Sequence, residues 1–206
     1  IVVACYAFND YFGKPLSERE LLELTAVCEG GVSGGVHYDN VAPSYLGGLQ
    51  LMLPDSAQLC RSLPWFDHWR VVVCYPGTLI STKAAREVIP ANYTRDNAIQ
   101  YAGLLSRFVS ALYAQDEADA LQSIKDVIAE PHRLPLIPEL LPLRERMHAI
   151  GVVHLGISGS GPSLFALCRD EQQAEQAAHI YREKKKKNAD AMTHICQMAM
   201  LGARQL

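Results

Sequence analysis

The sequence contains no apolar run approaching the 18 or more residues that a helical membrane span requires, so membrane is not an expected partner. Nor has it a surplus of either charge. Its 19 Lys and Arg stand against 22 Asp and Glu, a formal charge of −3 with neutral histidine, which argues against nucleic acid as a partner. It lacks any Cys-x-x-Cys pair and any internal repeat. The six cysteines, Cys5, Cys28, Cys60, Cys74, Cys168 and Cys196, are widely spaced, mostly among apolar neighbours, and read as reduced core residues. The opening run Ile1 to Phe8 has no Met, no cap and no basic flank of a signal peptide, and it reads as the interior of a helix whose beginning is missing. What is present is ordinary for a globular chain: 49% hydrophobic and 20% charged residues. For a chain of this mass, roughly 70% of the extended surface can be buried on folding.

Residues Pro15 to Leu21 combine a Ser17 cap, a Glu20 three residues later and a Leu16 to Leu21 staple, which predicts a helix start. Leu21, Leu24 and Cys28 share one of its faces, and Gly30-Gly31 is expected to end it. Gly34-Gly35 then opens a polar loop, His37 to Asn40, before Leu46, Leu49, Leu51 and Leu53 signal extended chain with a bend at Gly47-Gly48. Asp55 to Asp67 reads as a connection to a second domain. That domain is expected to hold a strand over Arg70 to Tyr75 and helices over Lys83 to Ile89, Asp96 to Ala114, Glu117 to Ala129 and Pro138 to Ile150. Strands over Val152 to Ser158 and Ser163 to Cys168, a helix Glu171 to Lys186 and a strand Thr193 to Met200 follow. Without the extra helices the order is β-α-β-β-α-β, the split unit of ferredoxin-like sheets, so the fold class is α+β. The run Lys184 to Lys187 sits at a helix end, where cations favour the macrodipole.

The densest polar grouping is Glu29, His37, Asp39 and Asn40 on the glycine-rich segment. Glu29 and Asp39 offer hard oxygen donors for Mg²⁺, and His37 and Asn40 offer hydrogen bonds to a substrate, with an ordinary solvated loop as the competing reading. His37 is a poor zinc ligand because no second His or Cys stands at ligand spacing. Thr82 is placed to cap a helix from which Arg86 projects one turn on, a position suited to clamping a carboxylate or phosphate. Arg133, on a Pro-fixed turn, offers a second guanidinium, although each of the two, taken alone, reads more simply as a surface arginine. Gly156 to Pro162 resembles a phosphate cradle but reads more simply as a tight hairpin.

Three stretches carry a more specific signal: Ser33-Gly34-Gly35-Val36-His37-Tyr38-Asp39-Asn40-Val41-Ala42-Pro43, Ser81-Thr82-Lys83-Ala84-Ala85-Arg86, and Gly156-Ile157-Ser158-Gly159-Ser160-Gly161-Pro162. In order and sequence they closely resemble the homoserine kinases of the GHMP small-molecule kinase superfamily. The resemblance covers essentially the whole chain and corresponds to the last two-thirds of such an enzyme. It implies a two-domain architecture, with residues 1–66 as the remainder of the N-terminal domain and 67–206 as a ferredoxin-like C-terminal domain with extra helices. The family's glycine-rich phosphate loop and N-terminal substrate segment have no counterpart, so the chain alone is not expected to be a competent kinase.

The resemblance further implies the chemistry. ATP and L-homoserine are the expected ligands, with Mg²⁺ required and threonine biosynthesis in the cytoplasm as the setting. Glu29 would help hold Mg²⁺ with the nucleotide phosphates. His37, Asp39 and Asn40 would line the amino-acid pocket with Thr82 beside it, and Arg86 and Arg133 would grip the substrate carboxylate. Asn40 aligns where related kinases often carry an Asp, and a neutral amide cannot accept a proton, so positioning and charge neutralisation outweigh base catalysis, with Asp39 available as a base. The resemblance also suggests a homodimer. Two other readings stay open: a superfamily kinase for another small alcohol, and a non-catalytic amino-acid-binding module, since the fold alone decides no function.

Overall fold

The computed structural model describes residues 1–33, 35–54, 56–185 and 188–204. Gly34 of the glycine pair, Asp55 of the expected connection, and Lys186 and Lys187 of the lysine run lie outside these described residues. By contacts the chain forms two units. The first is Ile1–Trp65 with the residues from Met198 on, and the second is Phe66–Gln197.

The first unit begins with α1 (Val2–Tyr11), α2 (Glu18–Ser33) and α3 (Val41–Leu46). The Asn9 side chain pins the turn after α1, accepting from the Leu16 N–H at 3.0 Å and donating to the Leu16 carbonyl at 3.2 Å. The spacing of Ser17 and Glu20 forms the capping box it predicts. The Ser17 N–H donates to the Glu20 carboxylate at 2.8 Å and the Glu20 N–H to Ser17 Oγ at 3.4 Å. The buried face of α2 is Leu21, Leu22, Thr25 and Ala26, whereas Leu24 and Cys28 are exposed, so the expected Leu21–Leu24–Cys28 stripe is not the one that packs. Thr25 is tolerated inside because its hydroxyl donates to the Leu21 carbonyl at 2.7 Å.

The helix also continues through Gly30 and Gly31 instead of ending there. A Cβ on Gly30 would stand 2.9 Å from the Gly35 carbonyl oxygen, so this glycine serves the close return of the following loop and not a helix stop. The short α3 is a second departure. Pro43 is accommodated because the first helical turn leaves its N–H groups without intrahelical partners. Val41 and Ala42 pack on Leu22, with Val2, Tyr38, Tyr45 and Met52 around them.

Two strands, β1 (Leu49–Met52) and β2 (Cys60–Leu63), form an antiparallel hairpin with Leu49 opposite Leu63 and Met52 opposite Cys60. The stretch expected as a connection therefore contains a strand. The tail returns here. The Gly48 N–H donates to the Ala199 carbonyl at 2.8 Å and the Ala203 N–H to the Tyr45 carbonyl at 3.0 Å, which groups residues from Met198 on with the first unit, although the sequence places them after the second.

The second unit runs β3 (Arg70–Tyr75), α4 (Thr82–Glu87), α5 (Arg95–Ala114), α6 (Glu117–Ser123), α7 (Glu130–Arg133), a 3-10 turn (Leu134–Leu136), α8 (Leu140–Ala149), β4 (His154–Ile157), β5 (Leu164–Cys168), α9 (Glu171–Lys185) and β6 (Met192–Cys196). The sheet order is β4-β5-β3-β6 with every neighbouring pair antiparallel, the ferredoxin-like arrangement. Helix α6 stops at Ser123, short of Ala129. The Asp126 carboxylate takes the N–H groups of Ile128, Ala129 and Glu130 at 2.9, 2.7 and 3.0 Å, which restarts the chain as α7. The last strand ends at Cys196 and not Met200, where the chain leaves for the first unit.

One sheet face buries Val72, Leu155, Leu164, Ala166 and Cys168 against Leu143 and Met147 of α8 and Ala174, Ala177 and Tyr181 of α9. The alanines let α9 approach closely, and a wholly buried Leu or Met side chain contributes about 1.5–3 kcal/mol. All six cysteines are free; Cys74 and Cys168 are buried, while Cys28 and Cys196 are exposed, outside the core role expected of them. Burial, with Asp170 nearby, pushes the Cys168 thiol up to about 12. Among the described residues no helix is long and apolar enough to cross a membrane.

Candidate functional site

In the first unit the segment between α2 and α3 is anchored by Tyr38, which packs on the Leu22–Val41–Ala42 cluster. Its neighbours His37 and Asp39 are exposed. With Val36 and Tyr38 they line a cleft of about 460 Å³ whose remaining walls are Met52, Leu53, Pro54 and Leu59. The His37 ring folds back on the loop, since a Cβ on Gly35 would lie 2.9 Å from His37 Nε2. Asn40 is the N-cap residue of α3, yet its side chain makes no cap hydrogen bond, so the amide is not used up in holding the helix. Glu29 is half-buried on α2.

Among the described residues no group of three or more His, Cys, Asp or Glu is placed to hold a metal ion. That donor set does not form an all-protein cage. It is compatible with a nucleotide-borne Mg²⁺, which typically takes one or two carboxylates and completes its octahedron with phosphate oxygens and water.

In the second unit the other candidates surround α4. Ser81, not Thr82, caps this helix, accepting from the Ala84 N–H at 3.1 Å. Its backbone is extended while Thr82 is already helical, which leaves the Thr82 hydroxyl outside the cap. Ser160 Oγ instead lies 3.4 Å from Thr82 Oγ1 and donates to it. Arg133 ties the same region together. Its Nε donates to the Ala85 carbonyl at 3.1 Å and its Nη1 to the Gly159 carbonyl at 2.9 Å. Among the described residues, two of its five N–H donors are thereby fixed and three are left to offer. Ala85 is wholly buried and Arg86, the next residue, is exposed.

The Gly156 to Pro162 stretch runs from the end of β4 into the β4–β5 turn. Ser158 N–H donates to the Ser163 carbonyl at 2.8 Å and Gly161 N–H to the Ser158 carbonyl at 3.0 Å, with Gly159 and Gly161 at φ +58° and +81°. The hairpin reading of this stretch therefore holds. Two of the three sequence stretches, Ser81–Arg86 and Gly156–Pro162, thus meet through Arg133 and the Ser160–Thr82 pair. Ser160 had no assigned role in the sequence, and its only signal was its place in a glycine-rich turn.

Sequence reasoning also passed over His154, whose ring is hydrogen-bonded to the Ile124 backbone and contacts Phe165 at 5.2 Å between centroids. Burial first, and then the nearby Arg144 cation, push its pKa down to about 4. Arg144 is itself engaged, with Nη2 at 2.8 Å from Glu130 and 2.9 Å from the Leu155 carbonyl.

Residues 1–48 match the family profile of the GHMP kinases N terminal domain, and residues 108–187 match that of the GHMP kinases C terminal domain. Among solved structures, homoserine kinase from Cytophaga hutchinsonii superposes with a TM-score of 0.90 at 26% identity, over 98% of this chain and 64% of that one. A putative homoserine kinase from Listeria monocytogenes gives 0.67 at 18%, over 98% and 65%. Mevalonate kinase from L. major, in complex with R-mevalonate, gives 0.69 at 18%, over 96% and 64%. The chain thus spans slightly less than two-thirds of the length of these proteins.

Proposed function

We propose that this chain, a member of the GHMP kinase family by both of its matched domains, serves the ATP-dependent phosphorylation of L-homoserine to O-phospho-L-homoserine, a cytoplasmic step of threonine biosynthesis. The observation that carries the reading is its likeness to the Cytophaga enzyme over nearly its whole length. Support comes from Arg133, which two backbone carbonyls hold in place with donors to spare.

In this reading Arg86 and the free donors of Arg133 bind the substrate carboxylate, since planar guanidinium matches it bidentately. The sequence resemblance assigns His37, Asp39 and Thr82 to the rest of the amino acid. The Asn40 amide orients the side-chain hydroxyl. That oxygen forms a bond to the γ-phosphorus, the bond from the γ-phosphorus to the β–γ bridging oxygen breaks, and ADP leaves with those electrons. The hydroxyl proton passes to the Asp39 carboxylate. Bound through Glu29 and the phosphates, Mg²⁺ would supply charge neutralisation. A homodimer is the expected assembly.

The test is ADP release by the full-length protein across a panel of small alcohols, with homoserine the expected preferred acceptor. Arg86→Ala should raise KM for homoserine by about 10-fold or more, because a hydrogen bond to a charged group contributes about 1.5–3 kcal/mol, while KM for ATP changes little. Preference for another alcohol would overturn the substrate assignment. No turnover of any acceptor, with homoserine still bound, would favour an amino-acid-binding module. Equal loss of homoserine and ATP use would remove Arg86 from its role.

A further inference from the structure

A helix as short as α3 is marginal on its own, because nucleation fixes several residues before the first hydrogen bond is gained. Its start has no side-chain cap, and its ladder is brief. The Ala42 N–H donates to the Tyr38 carbonyl at 2.8 Å, Ser44 to Asn40 at 3.3 Å and Gly47 to Pro43 at 2.9 Å. Packing of Val41 and Ala42 on Leu22 holds one side. The last turn of a helix leaves carbonyls without intrahelical partners. In α3 one of these, on Tyr45, is met from far along the chain by the Ala203 N–H at 3.0 Å.

Glycines on both sides make this meeting possible. Gly47, directly after α3, has φ +83° and ψ 178°, a conformation essentially confined to glycine. A Cβ there would stand 2.6 Å from Gly202 N. A Cβ on Gly202 would in turn overlap the Tyr45 carbonyl oxygen and stand 2.6 Å from Gly47 N. Gly202 does not have a positive φ, so what it supplies is space alone. Two backbones thus touch with no side chain between them. The Gly48 N–H, donating to the Ala199 carbonyl at 2.8 Å, extends the seam by one residue.

We infer that Gly202 is a positioning residue for the candidate substrate site: it seats the returning tail against the end of α3, and that seating fixes where Asn40, at the helix's other end, presents its amide. The inference rests on the role proposed above for Asn40. Helix α3 has six residues, less than two turns, so a displacement at its last residue reaches Asn40 nearly undiminished. The tail therefore acts on the reaction through α3 and touches no substrate itself.

The test is Gly202→Ala in the full-length protein. Making room for the methyl group takes a shift of about 1 Å, and a misplacement of that size can cost about 100-fold in rate. The value of kcat/KM for homoserine should fall by about that factor, mostly in kcat, with KM for ATP unchanged. The amides of Ala42, Ser44 and Gly47 should exchange with solvent faster than in wild type. Ala203→Pro, which takes away the N–H that the Tyr45 carbonyl accepts, should act in the same direction, and Ala203→Ser, which keeps it, should behave as wild type. If Gly202→Ala does not fold, this pair decides. A tail that only adds stability would give a lower melting temperature with kcat/KM for homoserine intact, and that result would overturn the inference. So would equal loss of homoserine and ATP use, or α3 amides exchanging at the wild-type rate. If wild type prefers another small alcohol, the substrate reading fails alone, and the same comparison with that alcohol decides on Gly202. If wild type turns over no acceptor, the kinase reading and this inference fall together.

Discussion

Acidification should loosen the second unit through His154. Its pKa lies near 6.5 when exposed and is pushed down to about 4 in the folded chain by burial and by Arg144. The folded form thus refuses a proton that the unfolded form accepts. Stability from this group is complete above pH 6.5 and drains away as the pH falls from 6.5 through 4. Within that window the loss is about 1.4 kcal/mol for each pH unit, or about 3 kcal/mol in total. The wild-type curve alone sums over every titrating group in the chain, so it does not isolate the histidine. Comparison with His154→Gln does, because glutamine keeps a donor for the Ile124 backbone and carries no titrating proton. Urea unfolding of both proteins between pH 7.5 and 4.5 should give curves that diverge below pH 6.5, the wild type falling more steeply. Parallel curves, or an NMR titration placing the ring above pH 5.5, would refute the reasoning.

Arg133→Met should destabilise the second unit by about 2 kcal/mol, since two charge-assisted bonds to carbonyls are lost and one of them is solvent-exposed; Arg133→Lys should recover less than half, as read from urea midpoints. Gly30→Ala should destabilise the first unit, although the same change in an open helix interior gains about 1 kcal/mol, because the new Cβ would press at 2.9 Å on the Gly35 carbonyl; a raised melting temperature would show that the loop can yield.

Much of the second unit was legible because its signals are local. Val71–Tyr75 is an apolar run with punctuation on both sides, and the strand expected over Arg70–Tyr75 forms at those residues. The helix expected from Asp96 differs by one residue at its start because Thr94, whose Oγ accepts from the Asn97 N–H at 3.1 Å, caps it earlier. The first unit was less legible because its determinants are tertiary. Gly30 reads as a stop by composition, yet it answers to a carbonyl five residues on. Leu24 and Leu21 have equal claims by residue type, and which of them is buried depends on what packs against α2. The β1–β2 pairing needed partners that the mixed polarity of residues 56–67 does not announce. At α4, a cap one residue before Thr82 was within reach of the sequence, since Ser81 and Thr82 are both good caps and only the backbone conformation decides between them. His154 was not visible, because burial of a single polar side chain leaves no periodic trace.

The returning tail has a consequence for the order of events on the ribosome. Strand β3 waits for β5 and β6, with Val72 meeting Ala166 and Ile195, so the sheet cannot close until more than a hundred further residues have emerged. The first unit waits longer still. Its Tyr45 carbonyl takes the Ala203 N–H, and its Gly48 N–H reaches Ala199, after every residue of the second unit has been made. Domains usually mature in the order of their synthesis. Here the unit that emerges first is the last to be finished, and the later one must fold between its two pieces.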